Sequence, residues 1–126
     1  MASKSERLTI LRRRSDFLRL VKEGHKLRSV DWMFLSVGAN QLEVTRWGWT
    51  IPGRVGNAVI RNKLKRWCRV LAKEISSESI SKERVPKGYD INVVFRPQPA
   101  GFFKNMLFAD FKRAFEQAIR KVRPRS

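Results

Sequence analysis

Cysteine and histidine are almost absent from this chain, which limits the chemistry that its own side chains can perform. Cys68 is the only cysteine and His25 the only histidine among the 126 residues. One cysteine cannot form an internal disulfide, and the two residues together are too few to hold zinc. A catalytic pair of Cys68 and His25 is disfavoured, because Cys68 falls on an apolar helix face where a small buried side chain is expected. We therefore expect no catalytic residue on the protein.

Long hydrophobic runs are also missing. The longest uninterrupted apolar stretches, such as 32–35 and 93–95, are far too short to cross a bilayer. The first seven residues are polar, contain no apolar segment typical of a secretory signal, and are expected to be disordered. These absences predict a cytoplasmic protein without a membrane partner.

Acidic residues are few relative to basic ones. The chain has 28 Lys and Arg against 11 Asp and Glu, a formal net charge of +17 at pH 7. Such an excess repels itself unless a polyanion neutralises it, so nucleic acid is the first partner to consider and an anionic membrane surface the second. The length suits one domain with one core, and we expect residues 1–126 to form a single domain.

The hydrophobic pattern predicts three helices and three strands. A short first helix begins near Ser15 or Asp16, either of which could cap it, buries Phe17, Leu20 and Val21, and ends at Gly24. Residues 27–37 and 42–51 read as two strands joined by a turn at 38–41, and 90–96 as a third strand, with Tyr89 in a turn before it. A final helix over 105–122 carries one apolar stripe, formed by Leu107, Phe108, Phe111, Ala114, Phe115, Ala118, Ile119 and Val122. The order helix, strand, strand, helix, strand, helix predicts an α+β sandwich.

The long helix expected from about Val55 to Glu74 separates its residues sharply. At about 100° per residue, one arc contains apolar side chains, and these are Ile60, Leu64, Trp67, Cys68, Leu71 and Ile75. The opposite side is basic and polar, and its residues are Arg61, Asn62, Lys65, Arg66, Arg69 and Lys73, with Lys63 on a flank. One face is thus expected in the core and the other in solvent or on a partner.

A run of charge on a helix is most often only a solvated face. Here, however, residues 45–73 contain eight Lys and Arg and no Asp or Glu, so the ion pairs that usually balance a basic face are missing. Just before the helix, Gly53 and Gly56 would let a phosphate approach backbone N–H groups at the positive end of the helix dipole. The segment therefore predicts a surface that binds anions.

The same segment resembles the signature of the protein subunit of bacterial ribonuclease P. The matching residues are the strand 46–51, RWGWTI, and the run 54–69, RVGNAVIRNKLKRWCR, where the family has an R-x-G strand followed by V-G-N-A-V-x-R-N-R-x-K-R-x-x-R. The resemblance extends to Asp16, Phe17 and Gly24, to the strand 90–97 and to the closing helix, and so covers nearly the whole chain.

The resemblance implies an α/β sandwich like domain 2 of ribosomal protein S5, with a left-handed βαβ crossover that contains the basic helix. It implies a ribonucleoprotein that removes the 5′ leader of precursor tRNA, with one RNA subunit per protein as the catalyst, Mg²⁺ held mainly by RNA, and no obligate protein partner. The residues expected on the catalytic RNA are Arg54, Asn57, Arg61, Asn62, Lys63 and Arg66. Those expected at a cleft for the leader are Phe17, Trp32, Phe34, Lys65 and Arg69. A structural RNA-binding protein of the ribosomal type is the alternative.

Several aromatic candidates have a second interpretation. Phe17, Trp32 and Phe34 are more often core residues, although aromatics beside a basic groove can stack unpaired bases. For Trp47 and Trp49, packing under a helix and exposure to RNA are equally favoured.

The chain departs from the family pattern at four positions. Pro52 and Gly53 stand where a serine and a basic residue are usual, and Pro52 lacks an amide donor. Lys63 replaces the second arginine of R-N-R and has no planar fork for phosphate. Val70 replaces a common acidic residue. These positions leave the details of phosphate and cation contact near Asn57 and Asn62 open.

Overall fold

The computed structural model describes residues 8–78 and 88–122, without the side chains of residues 77 and 78. In chain order the elements are β1 (Thr9–Ile10), α1 (Arg14–Glu23), β2 (His25–Val30), β3 (Met33–Ala39), β4 (Arg46–Thr50), a 3₁₀ turn (Gly53–Val55), α2 (Ala58–Glu78), β5 (Tyr89–Phe95) and α3 (Phe108–Ile119). The expectations for residues 1–7, and for most of the loop that ends near Pro86, lie outside the described residues.

The strands form one five-stranded sheet in the order β1-β4-β5-β3-β2. The β1–β4 and β4–β5 pairs are parallel, whereas β5–β3 and β3–β2 are antiparallel. Because β4 and β5 are parallel neighbours and α2 connects them along the chain, the expected βαβ unit is present. The α+β class is confirmed, and the left-handed sense of the crossover stays a prediction.

Three features of the sheet differ from the prediction. The stretch expected as one strand over 27–37 is a hairpin of β2 and β3 that turns at Asp31 and Trp32, and its register shifts between Arg28 and Val30. This turn has no Gly, Pro or Asn to mark it, which is why the pattern concealed it. In addition, β3 and β4 are not neighbours, because β5 lies between them. The two-residue β1 is too short to show a period.

Helices α2 and α3 cover one face of the sheet, which we call the helix face. Trp47 of β4, Ile91 of β5 and Val37 of β3 are aligned across it and are all buried. The apolar stripe predicted for the basic helix packs here: Leu64, Cys68, Leu71 and Ile75 are buried, and Ile60 and Trp67 are half-buried. Burial raises the pKa of the Cys68 thiol far above its ordinary value, so this thiol stays protonated inside the core.

Aromatic rings join α3 to this face. The Phe111 ring stacks on Phe95 at 6.1 Å between centroids, and Phe115 stacks on Trp47 at 6.2 Å. Most of the predicted apolar stripe of α3 is confirmed, but Leu107 is 66% exposed because it lies in the turn before the helix. Tyr89 begins β5 and does not belong to a turn.

The observed helix ends differ in part from the predicted ones. Neither Ser15 nor Asp16 caps α1, which begins at Arg14 with no side-chain cap, although it ends before Gly24 as expected. Leu20 is buried against the sheet, but Val21 is 70% exposed. The helix expected to begin at Val55 is instead preceded by the 3₁₀ turn and begins at Ala58.

The core position of Leu71 on α2 allows a direct test of how the basic helix is held. Leu71 is fully buried, whereas its neighbour Val70 is 45% exposed. We expect Leu71→Ala to lower the free energy of unfolding by about 2–5 kcal/mol, and Val70→Ala by less than about 0.5 kcal/mol. Urea denaturation of both variants measures the difference. Equal losses would show that α2 does not pack through the stripe containing Leu71.

Candidate nucleic-acid interface

The side of α2 that faces away from the sheet carries a continuous basic surface. Its exposed residues recur at helical spacing and point to one side, and they are Asn62, Lys65, Arg66, Arg69 and Lys73. We call them the basic face. Acidic residues enter the helix only at Glu74, which lies 4.0 Å from Lys112 of α3. The positive charge of the basic face is therefore not neutralised within α2, as the sequence predicted.

Two of the predicted RNA contacts are engaged inside the protein. The Arg61 Nε donates a hydrogen bond to the Gly56 carbonyl at 3.1 Å, which braces the turn before α2. The Lys63 Nζ donates to the carbonyls of Phe103 at 2.8 Å and Lys104 at 3.3 Å. It also lies 4.8 Å from the centre of the Trp67 ring. Lys63 thus fastens α2 to the loop before α3, and any contact it makes with RNA stays a prediction.

The contacts of Lys63 change the pKa of its ammonium group. Removal from water lowers its pKa, and the nearby charge of Arg66 lowers it further.

We expect Lys63→Ala to lower the free energy of unfolding by about 1 kcal/mol through loss of these hydrogen bonds. Arg66→Ala, one turn away and exposed, should leave stability nearly unchanged while weakening RNA binding. Thermal unfolding of the two variants separates the roles, and equal stability would contradict an internal role for Lys63.

The start of α2 is capped by its own sequence. The Asn57 Oδ1 accepts a hydrogen bond from the backbone N–H of Ile60 at 3.0 Å, as an N-cap residue does. Arg54 is exposed in the 3₁₀ turn just before it. Asn57 therefore has a structural role that the sequence did not reveal, and its amide nitrogen is left for other contacts.

Among the described residues, α1 packs on the opposite face of the sheet and covers it in part. Cross-strand pairing places its residues in rows that run across β4, β5, β3 and β2. The first row contains Arg46, Asp90 and Gly38; the second contains Gly48, Asn92, Ser36 and Lys26; and the third contains Thr50, Val94, Phe34 and Arg28. Helix α1 lies over the first two rows, because Phe17 contacts Gly48 and Leu20 contacts Gly38. We call the third row, together with Lys26 and Phe17 beside it, the groove.

An aromatic ring flanked by cations stands in this groove. Phe34 is half-buried, and the Lys26 Nζ and the Arg28 guanidinium carbon lie 5.3 Å and 6.0 Å from its ring centre. Nearby, the Thr50 hydroxyl and the Asn92 amide are hydrogen-bonded to each other. Lys26 and Arg28 were not predicted as site residues, although their alternation would have revealed them had the β2–β3 hairpin been recognised.

Phe17 can lie against β4 because the residue beneath its ring, Gly48, has no side chain. A Cβ added to Gly48 would lie 2.8 Å from the Phe17 ring, closer than carbon atoms can approach. The glycine of the R-x-G pattern thus seats the aromatic ring of α1 on the sheet. Phe17 and Phe34, two of the predicted cleft residues, therefore share the same side of the sheet.

Trp32 is on the other side and does not join them. Its ring packs against Phe95, Phe102, Phe103 and Phe111, and only 9% of the residue is exposed. Trp32 is therefore not a cleft residue, because its ring is part of the core on the helix face.

Lys65 and Arg69, the other predicted cleft residues, are exposed on α2. The Arg69 guanidinium carbon lies 5.5 Å from the centre of the Trp49 ring, beside β4. Trp47 is buried and donates a hydrogen bond to the Ser76 hydroxyl, so these two tryptophans pack under α2. Arg69 thus lies at the β4 side of the sheet, with Lys65 one turn earlier on α2, and the cations over the Phe34 ring are Lys26 and Arg28.

A buried carboxylate ties α1 to the sheet. Asp90 is fully buried, and its two oxygens accept four hydrogen bonds of 2.7–2.8 Å: two from Arg46, one from Arg19 and one from Asn40. Burial alone would raise the pKa of Asp90, but the hydrogen bonds from Arg46 and Asn40 outweigh it and the pKa is lowered. The charged form therefore stabilises the fold at neutral pH, and this stabilisation is lost as the pH falls through the lowered pKa.

Two further findings bear on the kind of site. None of the described helices is long and apolar enough to cross a membrane. Within residues 8–78 and 88–122, His, Cys, Asp and Glu form no group of three or more that could hold a metal ion.

A partly covered sheet and a basic helix with no acidic residue before Glu74 are typical of an α+β RNA-binding protein. Comparison with known proteins names the family: the ribonuclease P family model matches residues 5–123. The ribonuclease P protein component of Thermotoga petrophila is 36% identical over 98 residues, which is 78% of each chain. The chain belongs to this family, and it is the protein component of a ribonucleoprotein endonuclease that works with an RNA subunit in tRNA processing.

Solved structures agree with the family in fold. The ribonuclease P protein of Thermotoga maritima superposes with a TM-score of 0.74 at 29% identity, over 91% of this chain and 98% of the other. The ribonuclease P protein of Staphylococcus aureus superposes with a TM-score of 0.70 at 26% identity, over 90% and 94%. The resemblance predicted from the motif residues is confirmed.

Proposed function

We propose that the chain holds the catalytic RNA with α2 and the 5′ leader of precursor tRNA in the groove. The observation that carries this division is the presence of two basic surfaces on opposite sides of one sheet. One is the basic face of α2, which contains no aromatic residue, and the other is the groove, where Phe34 lies between Lys26 and Arg28 and Phe17 lies on the α1 side. The first suits a folded RNA backbone, and the second suits an unpaired strand.

The proposed contact with the RNA subunit begins at the 3₁₀ turn and continues along α2. Arg54, Asn62 and Arg66 are exposed there and supply charge or amide donors. Arg61 and Asn57 shape the start of the helix, and their remaining donors are proposed to contact the RNA. Lys63 contributes by holding the neighbouring loop. Such backbone contacts depend on charge and shape, as expected for recognition of a structured RNA.

We propose that the protein contacts the leader by base stacking and by charge, without recognising particular bases. Phe34 offers a ring on which one unpaired base can stack, and Lys26 and Arg28 can then contact the phosphates on either side. Phe17 forms the α1 wall of the groove. Arg69 lies beside Trp49 of β4, and Lys65 is one turn earlier on α2. We propose that both attract the strand as it leaves the groove.

The chemistry is proposed to belong to RNA. Mg²⁺ bound mainly by the RNA subunit would stabilise the attacking and leaving oxygens of the phosphodiester. The protein lowers the repulsion between two polyanions and positions the leader. We further propose one protein per RNA subunit, no obligate protein partner, and action in the cytoplasm, where tRNA precursors are made.

Equilibrium binding to precursor and mature tRNA tests this proposal. The chain is assembled with a bacterial ribonuclease P RNA, and both tRNAs are titrated at one fixed salt concentration. We expect the precursor to bind about 5- to 150-fold more tightly, the equivalent of one stacked base at about 1–3 kcal/mol. Equal affinities, together with tight binding of the RNA subunit, would leave a protein that binds RNA without recognising the leader.

A further inference from the structure

The Asp90 cluster links the element that forms the groove wall to the strands that form its floor. Arg19 of α1 reaches Asp90 of β5 at 2.7 Å, and Arg46 of β4 reaches the same carboxylate at 2.8 Å. Asp16 of α1 lies 3.6 Å from Arg46. Two residues of α1 therefore join a single charge network centred on a carboxylate with no exposed surface.

The same network extends into the loop between β3 and β4. Asn40 donates to Asp90 at 2.8 Å, and its own Oδ1 accepts a hydrogen bond from the backbone of Leu42 at 2.7 Å. Arg19 also donates to the Ala39 carbonyl at 3.3 Å. The cluster thus joins α1, β4, β5 and the end of β3, which are the elements around the covered end of the groove.

Apart from this network, α1 touches the sheet through few groups. Phe17 rests on Gly48, Leu20 rests on Gly38, and the Ser36 hydroxyl donates to the Leu20 carbonyl at 3.3 Å. Leu18 and Val21 of α1 are 53% and 70% exposed and contribute little to this contact. Because both apolar contact points on the sheet are glycines, the lateral position of the helix depends on the Asp90 network together with the Ser36 hydrogen bond.

We propose that Asp90, through Arg19 and Arg46, is a positioning residue for the precursor leader, because it sets where α1 and Phe17 stand relative to Phe34. This inference rests on the proposed leader-binding function of the groove. Asp90 and the guanidinium groups that it holds are turned toward each other and need not touch RNA. Their effect on binding is transmitted through the position of α1.

Arg19→Met tests the link with little disturbance of the fold. Methionine keeps an apolar stem over the sheet, and Arg46 and Asn40 still satisfy Asp90 with three hydrogen bonds. The control is Lys22→Met, which removes the same charge from an exposed position of α1 that is not among the donors to Asp90. Both variants are assembled with ribonuclease P RNA and titrated with precursor and mature tRNA.

We expect Arg19→Met to reduce the preference for precursor over mature tRNA by roughly threefold to thirtyfold relative to Lys22→Met, with unchanged affinity for the RNA subunit. Arg19→Lys, which keeps a donor toward Asp90, should restore part of the preference. An unchanged ratio in Arg19→Met would overturn the proposal. So would a parallel loss of affinity for the RNA subunit and both tRNAs, which would indicate a general loss of folded protein.

This result can be separated from failure of the groove function itself. If the wild-type assembly shows no preference for the precursor, the groove does not bind the leader, whatever Arg19 does. If the wild type shows the preference and Arg19→Met retains it, the groove function stands and only the positioning role of Asp90 is lost.

Discussion

Replacing Arg61, Lys65, Arg66 and Arg69 together by alanine is expected to remove most RNA affinity at physiological salt. These side chains lie on a helix without acidic neighbours before Glu74, so their charge is available to phosphates. Each lost phosphate contact should reduce the slope of log affinity against log salt by about 0.7 for a single strand and about 0.9 for a duplex. A salt titration of RNA binding measures the change. Unaltered binding of both RNAs would refute the proposed interface.

Two double variants divide this effect. Arg61→Ala with Arg66→Ala should mainly weaken association with the RNA subunit, and Lys65→Ala with Arg69→Ala should mainly weaken binding of precursor relative to mature tRNA. A third pair, Arg113→Ala with Arg120→Ala, removes the same charge from exposed positions on and just after α3. If this control pair weakened binding as much as the other two, net charge alone would explain the affinity.

Phe34→Ala is expected to remove most of the preference for precursor tRNA, while binding of mature tRNA and the RNA subunit is retained. The ring is half-buried between Lys26 and Arg28, and loss of one stacked base costs about 1–3 kcal/mol, or about 5- to 150-fold. Binding of precursor tRNAs with and without a leader by the assembled enzyme measures it.

The control for this variant is Phe34→Trp, which keeps a stacking surface and should retain the preference. Because Phe34 also packs on the sheet, the unfolding of each variant is measured alongside binding. A stable Phe34→Ala protein with full preference for the precursor would show that the leader does not stack on this ring.

The basic helix could be predicted from the sequence because the residues that define it are close together in the chain. A period of 3.6 residues separates Leu64, Cys68 and Leu71 from Lys65 and Arg69, and the packing of one stripe on the sheet follows directly. The absence of acid over residues 45–73 is likewise visible in the chain alone. The long motif at residues 54–69 then identified the family, which composition and helical periodicity alone could not identify.

The groove could not be predicted in this way because it depends on pairing between distant strands. Lys26 and Arg28 join Phe34 only through the β2–β3 hairpin, whose turn contains Asp31 but no Gly, Pro or Asn. Trp32 was a candidate for the leader cleft through the family resemblance, but the β2–β3 turn places its ring in the core. Asp90 likewise meets Arg19 and Arg46 across 71 and 44 residues of sequence.

The most direct test of the account is a cleavage assay at low Mg²⁺ concentration. A precursor tRNA labelled at its 5′ end is incubated with a bacterial ribonuclease P RNA, with this protein, and with both, and the cut is mapped. We predict cleavage at the mature 5′ end only with both components, with neither RNA nor protein sufficient alone. Cleavage by the protein alone, or no gain over the RNA alone, would contradict it.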